Sequence, residues 1–139
     1  MLLDDKPQFV YAFSNQPEHK FRITSDQSLT AGNHVIRLSF KYSGGGIGKP
    51  ATGVLFVDGK QVADGPIPRT IPIRFSLDET FDVGEDTGTP VVEDYVAKMP
   101  FAFTGTLKKF VVVLEPDKLT EEERKRLLDE EAKASMAVQ

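Results

Sequence analysis

The sequence predicts an all-β domain, an antiparallel β-sandwich, followed by one C-terminal α-helix. Short β-branched and aromatic runs recur about every ten residues up to residue 114, which is the spacing of sandwiches whose strands are joined by short turns. Residues 34–42 alternate apolar and polar side chains, as a strand with one buried face requires. After Pro116 the composition changes to charged helix formers. The predicted organisation is therefore a sandwich over residues 1–116 and a helical tail over residues 117–139.

Two hairpins are predicted in the first half of the chain. Residues 9–13 and 20–24 are short apolar runs separated by turn-forming residues. Residues 53–57 and 60–63 flank an Asp58-Gly59 dipeptide, which is the strongest short-range signal for a two-residue hairpin turn. Both pairs of strands are expected to lie antiparallel inside the sheet system.

Between the hairpins, the alternation of residues 34–42 predicts which side chains enter the core. One set of positions is apolar and is expected to be buried, and the other is polar and is expected to face water. The apolar set is Ile36, Leu38, Phe40 and Tyr42, and the polar set is Arg37, Ser39 and Lys41.

The second half of the chain is predicted to contain the last strands and one long loop. Three prolines within residues 66–72 lack an amide donor, so this part is expected to be an edge or a connection. Residues 73–77, 101–107 and 109–114 are predicted strands. Residues 78–100 combine many acids with Gly and Pro, and a long loop of this kind on a compact domain is often functional.

The tail is predicted to be a helix over about residues 121–134. Thr120 and Glu123 have the spacing of a capping box. The apolar stripe of this helix is thin, so we expect it to pack weakly or to serve a partner. That stripe consists of Leu127, Leu128, Ala132 and Met136.

Composition excludes several classes of function. The 139 residues carry a net charge of -4 with acids and bases interspersed, so the broad basic surface that nucleic acids require is missing. There is no cysteine, and therefore no thiolate metal site or cysteine nucleophile. No apolar run approaches the ~20 residues of a membrane-spanning helix, and residues 1–5 lack the pattern of a signal peptide. The cellular location is left open.

The glycine-rich residues 43–50 invite comparison with a phosphate-binding loop. In such a loop a glycine lies six residues before the lysine and a Ser or Thr follows it. Here those two positions are Ser43 and Pro50, and predicted strands flank the segment on both sides. We therefore interpret it as a turn between strands, where glycine permits close backbone approach.

The acid-rich loop is the candidate ligand or interface site. Its carboxylates and carbonyls are the oxygen ligands that calcium prefers, with Asp82 and Asp86 as the candidate metal ligands. An EF-hand is rejected because its third and sixth positions would be Gly84 and Thr87. The alternative is that these side chains cap turns and face water. The full candidate set is Arg69, Asp78, Glu79, Asp82, Glu85, Asp86, Thr87 and Thr89.

Other chemistry has weaker signals. Two facing carboxylates would suit a glycosidase, but sequence does not define their separation. His19 and His34 have no His or Cys companion at ligand spacing, so both are expected at the surface. No serine lies in a Gly-x-Ser-x-Gly elbow. Arg69 either binds an anion or, as we expect, pairs with the neighbouring acids Asp78 and Glu79.

Six segments taken in order resemble the C-terminal region of large bacterial arylsulfatases. The resemblance covers about residues 29–114, and its segments are residues 29–38, 40–49, 55–60, 69–72, 81–90 and 101–109. It implies an accessory sandwich similar to concanavalin-like or laminin-G-like jelly rolls. The parent family consists of sulfuric ester hydrolases that are often periplasmic or secreted.

The same resemblance implies a module without catalysis. Sulfatases form their formylglycine in a Cys/Ser-x-Pro-x-Arg motif, and this chain has no such motif. We therefore expect it to pack against a sulfatase catalytic domain or another protein chain. The alternative is a lectin-like module that binds glycans, assisted by calcium at residues 78–90. Residues 9–13 are similar to a strand from the middle of such a sandwich, so opening strands are expected to be missing and a homo-oligomer to cover the exposed edge.

Overall fold

The computed structural model describes residues 1–44, 46, 48–71, 81–115 and 120–136. The chain divides into two compact units, residues 1–75 and 76–139. Most of the regular structure is β-strand in small antiparallel sheets, so the prediction of a β-rich fold is confirmed. The boundary after residue 116 stays a prediction.

The first unit contains two three-stranded antiparallel sheets. In both sheets, strands that follow one another in sequence pair antiparallel. The first sheet consists of β1 (Leu2–Leu3), β2 (Lys6–Ala12) and β3 (Lys20–Thr24), with a 3-10 turn at Pro17–His19. The second sheet consists of β4 (Ile36–Tyr42), β5 (Ala51–Val57) and β6 (Lys60–Ile67).

Both predicted hairpins are confirmed. β2 pairs with β3, and β5 pairs with β6, each antiparallel. The turn between β5 and β6 has φ of 50° at Asp58 and 82° at Gly59, the positive values that a two-residue hairpin turn needs. Pro66 lies on β6 opposite Thr52. Among the described strands β6 is an outer one, which is where a proline is tolerated.

The two sheets of the first unit touch through a close approach of Ile23 to two glycines. A Cβ atom on Gly53 would lie 2.6 Å from Ile23 Cδ1, and one on Gly65 would lie 3.2 Å from Ile23 Cγ1. Ile23 is only 4% exposed. Around this contact, Tyr11, Ala51 and Ile67 are buried together, so the core lies between β2 and β3 on one side and β5 and β6 on the other.

The apolar side chains of β4 are exposed, and the prediction that they are buried is wrong. We call Ile36, Leu38, Phe40 and Tyr42 the β4 apolar row; their exposures are 48%, 38%, 41% and 44%. Within the described residues β4 is an outer strand and pairs with β5 alone. Ring contacts from the first sheet reach the row at Phe40, where the Phe9 and Tyr11 centroids lie 6.3 and 5.8 Å away.

The second unit has little sheet. β7 (Glu85–Asp86) pairs with β8 (Phe101–Ala102), and a 3-10 helix at Glu93–Lys98 lies between them. The predicted helix is confirmed as α1 (Glu121–Met136). No helix in the described part of the chain has the length and apolar character to cross a membrane.

Two predicted strands of the second unit differ in the structure. The strand predicted over residues 101–107 is limited to Phe101–Ala102. Residues 109–114 form no strand, although their composition favours one. A strand needs a neighbour to satisfy its backbone groups, and within the described residues this segment has none. The predicted strand at residues 73–77 lies outside the described residues.

The Ile23 contact predicts a specific pattern of coupled stabilities. We expect Gly53→Ala to lower the free energy of unfolding by about 1–3 kcal/mol, because the new methyl group overlaps Ile23 Cδ1. Ile23→Val removes that atom and alone costs about 0.5–1.5 kcal/mol. The double variant should therefore be more stable than the sum of the two losses, as measured by urea unfolding. Thr52→Ala, on the exposed face of the same strand, is the control; additive losses would contradict the contact.

Candidate functional site

The acid-rich loop is held by hydrogen bonds among its own residues. Asp82 Oδ2 accepts hydrogen bonds from the backbone N of Thr87 at 3.3 Å and from its hydroxyl at 3.0 Å. The backbone N of Phe103 donates to the Gly84 carbonyl at 2.7 Å, which extends the β7–β8 pairing. Asp82 therefore stabilises a turn in this structure, as the alternative interpretation of the loop expects.

Asp86 is bonded to the one buried tyrosine of this loop. The hydroxyl of Tyr95 donates to Asp86 Oδ2 at 2.5 Å and accepts from the backbone N of Val91 at 2.9 Å. Tyr95 is 2% exposed and its ring stacks on Phe101 at 4.4 Å. Desolvation, followed by the hydrogen bond to Asp86, raises the pKa of Tyr95 to about 12. Tyr95 is thus the centre of the loop, and acid content alone did not indicate it.

Three of the other predicted site residues lie in the described part of the chain. Glu85 and Thr89 are exposed, and Asp78 and Glu79 lie outside the described residues. Arg69 belongs to the first unit, where its guanidinium lies 5.7 Å from the ring centroid of Phe13. Among the described residues, no group of three or more His, Cys, Asp or Glu side chains is arranged to hold a metal ion. The calcium site stays a prediction.

The glycine-rich segment connects β4 to β5, as predicted. The backbone N of Ser43 donates to the Pro50 carbonyl at 3.0 Å and closes the connection. The Tyr42 hydroxyl donates to the Gly46 carbonyl and accepts from the backbone N of Lys49 at 3.1 Å. These bonds join the backbone at Gly46 and Lys49 to the Tyr42 side chain.

A serine and a histidine lie together at the β2–β3 turn. Ser14 Oγ is 2.7 Å from His19 Nδ1, and it also accepts from the backbone N of Gln16 at 3.2 Å. The His19 ring stacks on Phe13 with centroids 4.2 Å apart. A catalytic pair needs a third group that orients the base. The contacts observed here instead fix the local turn.

His34 joins the chain before β4 to the β5–β6 turn. Its Nδ1 lies 2.8 Å from Asp58 Oδ2, and its Nε2 lies 2.9 Å from the Thr30 carbonyl oxygen. The other Asp58 oxygen accepts from the backbone N of Val35 at 2.8 Å. A histidine that faces an acceptor at both ring nitrogens satisfies both only when it carries two protons.

The protonation of this pair follows from these contacts. The hydrogen bond to Asp58, and then the one to Thr30, raise the pKa of His34. The Val35 amide, and then His34, lower the pKa of Asp58. The pair lines a cavity of ≈ 300 Å³. Because His34 and Asp58 are hydrogen-bonded to each other, we interpret the pair as structural and call it the His34 clasp. The sequence signalled the Asp58 turn, but the partner lies 24 residues earlier in the chain, beyond the reach of any local spacing rule.

The most distinctive surfaces are apolar. The β4 apolar row lies on the first unit, and residues 107–114 of the second unit expose Leu107 and residues 110–114 by 51% to 85%. Phe110 touches Phe81, with ring centroids 5.9 Å apart, and is still 55% exposed. Contiguous exposed apolar surface of this kind marks interaction sites in soluble proteins.

Comparisons of the chain with protein-family models, with curated proteins and with solved structures identify no match. The resemblance to arylsulfatases therefore rests on the sequence segments alone.

The His34 clasp predicts a pH-dependent stability. Because the pKa of His34 is raised in the folded state, its stabilisation is complete below about pH 6.5, the ordinary histidine value, and is lost as pH rises through the folded-state pKa. The melting temperature should therefore fall as the pH rises from about 6.5 through the folded-state pKa of His34. His34→Gln should remove this fall, whereas His19→Gln, which removes the other histidine, should keep it. An identical pH profile for wild type and His34→Gln would contradict the clasp.

Proposed function

We propose that the chain is a non-catalytic module that docks onto a sulfatase catalytic domain or another protein chain. The observation that carries this proposal is the β4 apolar row, whose four large side chains are all more than a third exposed. Ordinary apolar residues scattered over a surface need no explanation, but a continuous row on one strand does. A protein surface that covers the row would gain the hydrophobic free energy of its burial.

The row also supports an incomplete sandwich. The first sheet covers Ile67 and Ala51, which are 0% and 2% exposed, but leaves Leu38 38% exposed on the neighbouring strand. Leu38 lies directly opposite the buried Leu55 on the same face of the sheet. We infer that a further β-layer completes the sandwich over β4, and that a partner supplies it.

The polar groups that suit catalysis are engaged in holding turns. His34 is bonded to Asp58, and His19 to Ser14. Asp82 and Asp86 accept hydrogen bonds from Thr87 and Tyr95. These contacts favour a structural role for each group and favour docking over an autonomous hydrolase.

Binding to a sulfatase catalytic domain tests the proposal. We expect the purified chain to associate with the catalytic domain of a bacterial arylsulfatase truncated before its own C-terminal region, as measured by sedimentation velocity. Phe40→Lys should abolish the complex because it places a charge in the covered row. Lys41→Gln, on the opposite face of the strand, is the matched control. Turnover of an aryl sulfate by the chain alone would contradict the proposal, as would binding that Phe40→Lys leaves unchanged.

Calcium separates docking from the glycan-binding alternative. A ligand that binds only the native state must raise its melting temperature. We expect calcium to produce no thermal shift, because the carboxylates of Asp82 and Asp86 already accept hydrogen bonds from Thr87 and Tyr95. A calcium-dependent shift that is lost in Asp82→Ala and Asp86→Ala would instead favour the lectin-like module.

A further inference from the structure

Within the described residues, the outer strand β4 has an unpaired side as well as an exposed face. In the described part of the chain it pairs with β5 alone, so its other side presents a row of backbone donors and acceptors. An added strand would satisfy that side and, at the same time, extend the apolar face. β4 is thus suited to receive a strand, which is a common mode of peptide recognition.

The same chain also contains a segment that has the composition of a strand but no strand partner among the described residues. Residues 109–114 are rich in β-branched and aromatic side chains, form no strand, and expose Val113 by 82% and Leu114 by 85%. A segment of this composition that stays unpaired promotes aggregation. A specific strand partner removes that hazard.

We propose that residues 109–114 of one copy pair antiparallel with β4 of a second copy, and that the exchange is reciprocal. This inference rests on the proposed docking function and names a second copy of the chain as the partner. Antiparallel pairs are the more stable kind, and a reciprocal exchange about a two-fold axis closes the assembly at two copies.

Side-chain chemistry selects the register of this pairing. Residues directly opposite each other share a face of the sheet. If Phe40 lies opposite Val112 of the second copy, then Leu38 lies opposite Leu114 and Tyr42 opposite Phe110, so the apolar row meets an apolar row. A shift by one residue would instead carry Lys109 and Glu115 onto the apolar face, because a one-residue slip moves every side chain to the other face.

The charged residues distinguish this register from its two nearest competitors. With Phe40 opposite Val112, Arg37 lies opposite Glu115 on the polar face. A shift by two residues keeps the apolar rows together in either direction; one direction places Lys109 opposite Lys41, and the other moves Glu115 from Arg37 to Ser39. Like charges directly opposite are destabilising and opposite charges favourable. The proposed register therefore has a pair of opposite charges, Arg37 with Glu115, that both competitors lack.

Strand exchange provides a partner for both β4 and residues 109–114, whereas pairing of two β4 strands provides one for β4 alone. An antiparallel pair of two β4 strands centred on Ser39 would set Arg37 opposite Lys41 of the second copy. It would pair the open side of β4 but leave residues 110–114 exposed. Reciprocal exchange sets the β4 apolar row beside Phe110, Val112 and Leu114 in both copies, and satisfies the backbone of both segments.

Single cysteines test the exchange directly, because the natural chain has none. Ser39 and Val113 are opposite in the proposed register, and opposite residues of an antiparallel pair have the Cα separation that a disulfide needs. Ser39→Cys protein and Val113→Cys protein are mixed under mild oxidation at micromolar concentration. We expect a disulfide-linked heterodimer as the main product. Val54→Cys is the matched control, since Val54 neighbours Ser39 on β5 and would lie one strand spacing farther from residue 113.

Light scattering completes the experiment. Wild type should be a dimer, Val112→Lys a monomer, and Arg37→Glu a dimer with a several-fold higher dissociation constant that Glu115→Arg restores. A monomeric wild type, or a dimer in which Val113→Cys crosslinks equally to Val54→Cys and Ser39→Cys, would overturn the exchange. A disulfide found only within a doubly substituted chain would overturn it too. None of these outcomes decides the proposed docking function, which the sulfatase-binding experiment tests by itself.

Discussion

The first unit depends on one close approach, that of Ile23 to the backbone of β5 and β6. Gly53 and Gly65 have no side chain where Ile23 packs, so the two sheets can approach until Ile23 is almost fully buried. A Cβ atom at position 53 would overlap Ile23 Cδ1, so the buried isoleucine would have to shift to accept any larger residue there. The same approach is confined to β5 and β6. β4 lies beyond these two strands and is only partly covered, through the contacts of Phe9 and Tyr11 with Phe40, so the β4 apolar row stays partly exposed.

Local patterns predicted the elements but not their surroundings. The Asp58-Gly59 turn could be read from two residues, because only a few residue types accept positive φ in succession. The strand at β4 was equally clear from its alternation. Whether its apolar face is buried, however, depends on which other strand lies over it. That is a property of the whole sheet arrangement, and the sequence of residues 36–42 does not determine it.

In the candidate site, too, the sequence indicated the residues but not their contacts. The acids of the loop were visible in the sequence, but the role of Asp86 depends on Tyr95, nine residues later. His34 was expected to be a surface residue, and its pairing with Asp58 crosses 24 residues. Residues 109–114 have the composition of a strand and yet form none, because strand formation requires a partner as well as propensity. Sequence predicts what a segment can do, and the available neighbours decide what it does.

Amide hydrogen exchange across a dilution series tests most directly whether a second copy supplies the missing neighbour. Exchange reports local opening and pairing of individual segments. We expect β4 and residues 109–114 to gain protection together as the protein concentration rises, while β6 keeps the same protection throughout. Protection of β4 that does not change with concentration, or that rises without a matching rise at residues 109–114, would contradict strand exchange between copies.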